Sequence, residues 1–122
     1  QPDDAAVAGL IERLDSLCGK SARTIAVTGI RRGDQIGVAC SDTRNGGGRI
    51  EYRLAPYCET FFPGCGDLLA SVLLAGVLAG RTASDALGQA VSFISEVSYK
   101  TQRLGTPPRE GVVFENELYR LI

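Results

Sequence analysis

Hydrophobic positions along the chain fall into blocks with distinct periods. In the first block Val7, Leu10, Ile11, Leu14 and Leu17 recur at helical spacing, behind Pro2, which suits a first helical turn, and Asp3 and Asp4, which complement the helix dipole. Gly19 supplies a stop. Residues 23–29, RTIAVTG, form a short apolar run rich in β-branched side chains, the composition of a strand buried on both faces. A helix feeding such a strand predicts an α/β layer.

The next two blocks change period. Residues 35–40, QIGVAC, follow the turn RRGD, and in residues 49–54 Ile50, Tyr52 and Leu54 alternate with Arg49, Glu51 and Arg53, as in a strand with one wet face. Together they predict an antiparallel hairpin at a sheet edge. The glycines 46–48 between them sit between two strands rather than between a strand and a helix, so they read as a hairpin loop and not as a phosphate cradle.

A helix is predicted from Asp67 to about Leu78, apolar on nearly every side and therefore expected in the middle of the fold, with Gly80 as its stop. Thr82 and Asp85 have capping-box spacing, and Leu87, Ala90, Val91, Ile94 and Val97 mark one face of the helix that follows. Gly105, Pro107 and Pro108 stop that helix. Residues 111–115, GVVFE, suit a last strand or extended segment before a short helical end. No repeat or low-complexity tract interrupts the series, so residues 1–122 are expected to form one α/β unit with a mixed sheet.

Composition narrows the chemistry. With 122 residues, 44% of them hydrophobic, the chain can bury one core. Its net charge of −1 and lack of a basic block argue against a nucleic-acid partner. The longest apolar run, residues 68–79, falls well short of the roughly 20 residues that span a bilayer, so no membrane association is expected. No signal peptide is visible, which makes a cytoplasmic location the default. The absence of any methionine, even at position 1, predicts an internal or trimmed piece. Histidine is also absent, which removes a Ser-His-Asp triad, a Cys-His pair and a His-ligated metal from within the chain. Cys18, Cys40, Cys58 and Cys65 match neither a zinc pattern nor a small disulfide scaffold, so they are expected to be mostly buried, reduced thiols.

One corner of the chain carries candidate chemistry. In FPGCGDLLASVLLAG, residues 62–76, two glycines and a cysteine lead into Asp67 at the head of the apolar helix. Asp67 can be an N-cap, accepting from the free N–H groups of the first turn. Alternatively the corner is an anion site, because glycines let backbone N–H groups approach a phosphate and the dipole favours negative charge there. A capping aspartate needs no glycine on both sides of its predecessor, whereas an anion hole does. Gly64 and Gly66 therefore favour the second reading, with the aspartate placed to take a proton from an attacking hydroxyl.

PGCGDLLASVLLAGVLAGRTASDALGQAVSFISEV, followed by TPPREGVVFE, resembles the C-terminal part of pyridoxal kinases, members of the ribokinase-like superfamily. The resemblance rests on a Gly-Thr-Gly-Asp signature (here residues 64–67), a Gly-x-Ser/Thr helix start (Gly80 and Thr82) and a Pro-Arg-Glu-Gly segment (residues 108–111). It is strong over the second half of the chain and extends to residues 1–60 in element order alone. It implies a three-layer α/β/α fold, of which this is the C-terminal half, and ATP-dependent phosphorylation of the 5′-hydroxymethyl group of pyridoxal, pyridoxine or pyridoxamine with Mg2+, in a homodimeric complete enzyme. Carried over by motif, Asp67 is the catalytic base, the backbone of Gly64, Cys65 and Gly66 is the anion hole for the γ-phosphate, and Thr28 and Gly29 meet the nucleotide phosphates. Residues 52–57 and the helix face around Ala90 and Phe93 fall near the adenine.

Cys65 replaces the signature's threonine, which removes a hydroxyl and leaves the backbone donors. Members of the family run to more than twice this length, and the vitamin-binding residues and lid belong to the half not represented here. A related hydroxymethylpyrimidine kinase, and a non-catalytic nucleotide-binding or assembly module, are the competing readings.

Overall fold

In the computed structural model, which describes residues 2–19, 23–42, 49–60 and 62–122, each predicted block has a counterpart. Helix α1 spans Asp4–Leu17. Asp3, rather than Pro2, defines its start, with the carboxylate Oδ1 accepting from the Ala6 N–H at 2.8 Å. Gly19, at φ 85°, takes the left-handed conformation typical of a residue just past a helix end. Of the predicted stripe, Val7 and Ile11 are buried, while Leu10, Leu14 and Leu17 remain open, Leu17 at 83% exposure.

Three strands follow, β1 (Thr24–Arg32), β2 (Gln35–Asp42) and β3 (Ile50–Pro56), in the spatial order β1-β2-β3. Both pairings are antiparallel, so the mixed sheet expected from the sequence is not found among the described residues. The expectation that residues 23–29 are buried on both faces is also corrected. β1 lies at an edge, and the central strand β2 is the doubly buried one, with Val38, Ala39 and Cys40 all under cover. The β2–β3 hairpin matches the prediction; the glycine run 46–48 lies outside the described residues.

Packing makes three layers. Val38, Cys40 and Ala55 face helices α2 (Cys65–Leu78) and α3 (Ala83–Leu104) on one side of the sheet. On the other side Ala39 and Ile30 meet Val7 and Ile11 of α1, flanked by Ile25, Val27, Ile50 and Tyr52. β1 shows why both sides can be served. Its register slips between Thr28 and Ile30, and Gly29, at φ 75°, is the extra residue of the bulge. Ile25 and Val27 face α1 before the bulge; one inserted residue moves that face to the even position Ile30.

α2 begins two residues before the predicted Asp67, with Gly64 as its N-cap at φ 90° and no side-chain cap. It is not central. Leu69, Val72 and Gly76 are buried against the rest of the fold, but Leu74 and Leu78 are 58% and 78% exposed, because α3 covers one side of α2 only. At the crossing a Cβ on Gly76 would come within 2.7 Å of the Ala86 Cβ, so the two helices approach closely. Thr82 caps α3, its hydroxyl accepting from the Asp85 N–H at 3.1 Å, and Leu87, Ala90, Val91 and Val97 are buried as the period predicts. Residues 111–114 form no strand; Gly111 has φ 75° and Phe114 lies in the αR region, and the stretch is tied to α3 where the Val113 N–H donates to Thr101 Oγ1 at 2.8 Å. A 3-10 helix, Glu115–Leu121, ends the chain. No helix among the described residues is long and apolar enough to cross a membrane.

Candidate functional site

The start of α2 opens onto a cavity of about 330 Å³ between the sheet and α3. Thr28 and Gly29 of the β1 bulge line one wall, Ile36, Gly37 and Val38 of β2 the floor, and Cys65 and Gly66 the first turn of α2. Ala55, Pro56 and Tyr57 close it from the end of β3, and Val91, Ile94, Ser95 and Ser98 from α3.

Four of the six residues singled out from the sequence, Thr28, Gly29, Cys65 and Gly66, thus meet in one pocket although almost forty positions separate the two pairs. The other two, Gly64 and Asp67, are exposed and do not line it. Of the residues expected near an adenine, the 55–57 portion lines the pocket. Tyr52 instead packs on the α1 face, and Ala90 and Phe93 are sealed in the core, because strand alternation and helix period turn them away from the opening.

The glycines of the corner have different reasons to be glycine. Gly64 is required by its left-handed backbone. Gly66 is not: its φ is not positive and a Cβ built on it would meet nothing within 4 Å. The fold alone therefore gives no reason for a glycine at 66, whereas close approach of a ligand to the backbone does. The first helical bond runs from the Leu68 N–H to the Gly64 carbonyl at 3.0 Å, so the N–H groups of Cys65, Gly66 and Asp67 precede the intrahelical ladder. Asp67, in the first turn, is not the N-cap that the sequence left open; its carbonyl accepts from Ser71 Oγ at 2.8 Å.

Cys65 is half-buried, and burial pushes its thiol up from the ordinary value; a hydrogen bond with Ser98 works the other way, and the nearby Cys58 adds to the rise. No disulfide joins the four cysteines, and only Cys40 is buried. Cys18 is exposed and Cys58 and Cys65 are partly open, against the expectation of mostly buried thiols. The Pro-Arg-Glu-Gly segment backs the corner: Gly111 has φ 75°, and a Cβ there would lie 3.1 Å from the Pro63 carbonyl oxygen. Gly80 and Thr82 sit at the opposite end of α2, where Thr82 has a capping role.

Sequence reasoning missed Gly37, whose Cβ would lie 1.9 Å from the Arg53 carbonyl oxygen, and the serines 95 and 98 on the pocket side of α3. A glycine inside a strand pattern is the available signal for such a close approach. Among the described residues no group of three or more His, Cys, Asp or Glu side chains is placed to hold a metal ion.

The architecture matches part of the structures of small-molecule kinases. A protein of Bacteroides thetaiotaomicron described as a phosphomethylpyrimidine kinase, one of whose crystal forms is with pyridoxal, matches with a TM-score of 0.83 and 25% identity over 99% of this chain and 40% of its own. Pyridoxal kinase from Lactobacillus plantarum matches with a TM-score of 0.82 and 24% identity over 99% of this chain and 41% of its own. For pyridoxal kinase from Entamoeba histolytica the values are 0.76 and 22%, over 98% and 40%. No protein-family model and no curated protein sequence matches the chain. The chain shares its fold with part of these kinases and spans about 40% of their length.

Proposed function

We propose that this chain forms the nucleotide and catalytic-base side of a ribokinase-like enzyme that transfers the γ-phosphoryl group of ATP to the 5′-hydroxymethyl group of pyridoxal, pyridoxine or pyridoxamine. The observation that carries the reading is the meeting, at one pocket, of the β1 bulge at Thr28 and Gly29 with the glycine-flanked start of α2. In this reading the backbone N–H groups at 64–66 hold the γ-phosphate through the dipole of α2, without a side chain in the way at Gly66. The apolar wall of Ala55, Val91 and Ile94 accommodates the base, and the exposed Asp67 accepts the proton of the incoming hydroxyl.

Magnesium fits this donor set as part of the nucleotide complex rather than as a resident ion, since Asp67 is the lone carboxylate among the lining and corner residues named here. When bound, it neutralises charge developing on the phosphates. A kinase for hydroxymethylpyrimidine or its phosphate is the second reading, favoured by the description of the Bacteroides protein.

The test is a titration of the chain with Mg-ATP followed by amide chemical shifts. Shifts at Thr28, Gly29, Cys65 and Gly66 are expected; a folded sample unchanged at millimolar nucleotide would sink the reading. Pyridoxal and hydroxymethylpyrimidine, compared as acceptors in a chain that also carries the rest of the kinase fold, separate the two substrate readings.

A further inference from the structure

Two thiols stand on the same pocket. Cys58 lies on the segment after β3, Cys65 opens α2, both line the cavity, and both are partly open to solvent. Both face α3 across the pocket. The Cys58 Sγ–H donates to Gln102 Oε1 at 2.9 Å, and Cys65 shares the pocket lining with Ser98. Ser98 and Gln102 are four positions apart on one helix, so the α3 side chains facing the two thiols lie on the same face about 6 Å apart along the axis. Residues 57–60 belong to neither helix nor strand, which leaves Cys58 on the more adaptable side of the pair. The remaining cysteines cannot compete within the chain: Cys40 is sealed in the sheet core and Cys18 lies past the end of α1 on the opposite layer.

We propose that Cys58 and Cys65 form an oxidisable dithiol at the mouth of the pocket, which a hydroperoxide converts to an intramolecular disulfide that closes the pocket to nucleotide. The closing step rests on the nucleotide reading above; the disulfide does not. In the chemistry, one sulfur attacks a peroxide oxygen, the O–O bond breaks, and a sulfenic acid and one water (from hydrogen peroxide) result. The second sulfur then displaces the sulfenic oxygen, the S–S bond forms, and that oxygen leaves as water with the remaining thiol proton. Two thiols lose two electrons and two protons, and one peroxide becomes two waters. The bond draws the 57–58 segment onto the first turn of α2, where Cys65 and Gly66 face the cavity.

The reduced chain is treated with hydrogen peroxide and followed by intact mass, by cleavage after Glu59, and by Mg-ATP titration before and after. A mass lower by about 2 Da, from the two hydrogens lost, is expected, with fragments on either side of Glu59 joined until a thiol reductant is added. Nucleotide affinity should fall at least about tenfold, or 1.4 kcal/mol, and recover on reduction. Cys58→Ser should abolish the link and Cys18→Ser should leave it intact. Absence of the 58–65 link in the natural sequence, or oxygen addition in its place, overturns the proposal. A link that forms while nucleotide binding stays unchanged overturns the closing step alone. If neither form binds nucleotide, the kinase reading and the closing step fall together while the dithiol site stands.

Discussion

Gly66→Ala separates a glycine kept for a ligand from a glycine kept for the fold. Position 66 lies in the first turn of α2 with no positive φ, and a Cβ there meets nothing within 4 Å, so the added methyl costs the folded chain nothing. Removing glycine's extra backbone freedom stabilises a helix by about 0.5–1 kcal/mol, with the lower figure appropriate to a first turn. For a chain of 122 residues, 1 kcal/mol moves the melting temperature by roughly 3–5 °C, so a rise of about 2 °C is expected. Gly66 lines the pocket, and on the proposed reading the same methyl would crowd the phosphate against the backbone. Affinity for Mg-ATP should therefore drop at least about tenfold, equivalent to 1.4 kcal/mol. Gly64→Ala provides the contrast: at φ 90° a side chain costs about 1–2 kcal/mol, and the melting temperature should fall. Differential scanning calorimetry and isothermal titration on the three proteins read both quantities. A Gly66→Ala protein that melts higher yet binds nucleotide normally would refute the anion-hole assignment, and one that melts several degrees lower would show that the fold itself needs the glycine.

Asp67→Asn should cost under about 1 kcal/mol of stability, because the carboxylate is exposed and contributes through the α2 dipole rather than through a cap. In a chain carrying the rest of the kinase fold it should lower turnover by about 10² to 10⁴ while nucleotide affinity holds, and near-normal turnover would remove Asp67 as the base. Gly37→Ala should destabilise the chain by about 3 kcal/mol or more in a urea titration, since the new Cβ would sit 1.9 Å from the Arg53 carbonyl oxygen and force β2 and β3 apart. Lys100 at 2.6 Å and Arg120 at 2.5 Å hold the Glu117 carboxyl below its usual range, so its folded value lies under the unfolded one. The stability this contributes is present at neutral pH and lost as pH falls below about 4.5 through the folded value; Glu117→Gln should flatten that part of an acid-unfolding curve, and an unaltered curve would deny the pair a role.

What could be read from the sequence follows the range of the interactions involved. Helix α3 was legible because its cap, its stop and its buried face are all local: Thr82, Gly105 and the Leu87–Val97 period need no knowledge of neighbours. The β2–β3 hairpin was legible for the same reason. Burial was not, because it depends on what lies alongside. The β-branched run at 23–29 reads as a strand buried on both faces, yet among the described residues β1 pairs on one side only, and α2 is apolar all round but is covered by α3 on one face. In the site, the Gly64–Asp67 corner was visible as a pattern. The wall it faces was visible only in part, since Gly29 reads as a strand end and turns out to be a bulge, and Ser98 and Gly37 reach the pocket through pairings no local pattern reveals.

If Asp67 is the base proposed above, its exposure fits the electrostatics of the cavity. None of the described residues lining it carries a charge, so an anion inside would be met first by backbone N–H groups, hydroxyls and the positive end of α2. A carboxylate placed among those walls would face the phosphates across a poorly screened gap and oppose their binding. At the third position of α2 it is instead exposed, one residue beyond Gly66 and still within the first turn. On the proposed reading, a base in that place would work on a hydroxyl arriving from outside the cavity, with the phosphate held within. The acceptor alcohol would then approach from the side of the exposed Gly64 and Asp67, and the Asp67→Asn turnover measurement tests that placement.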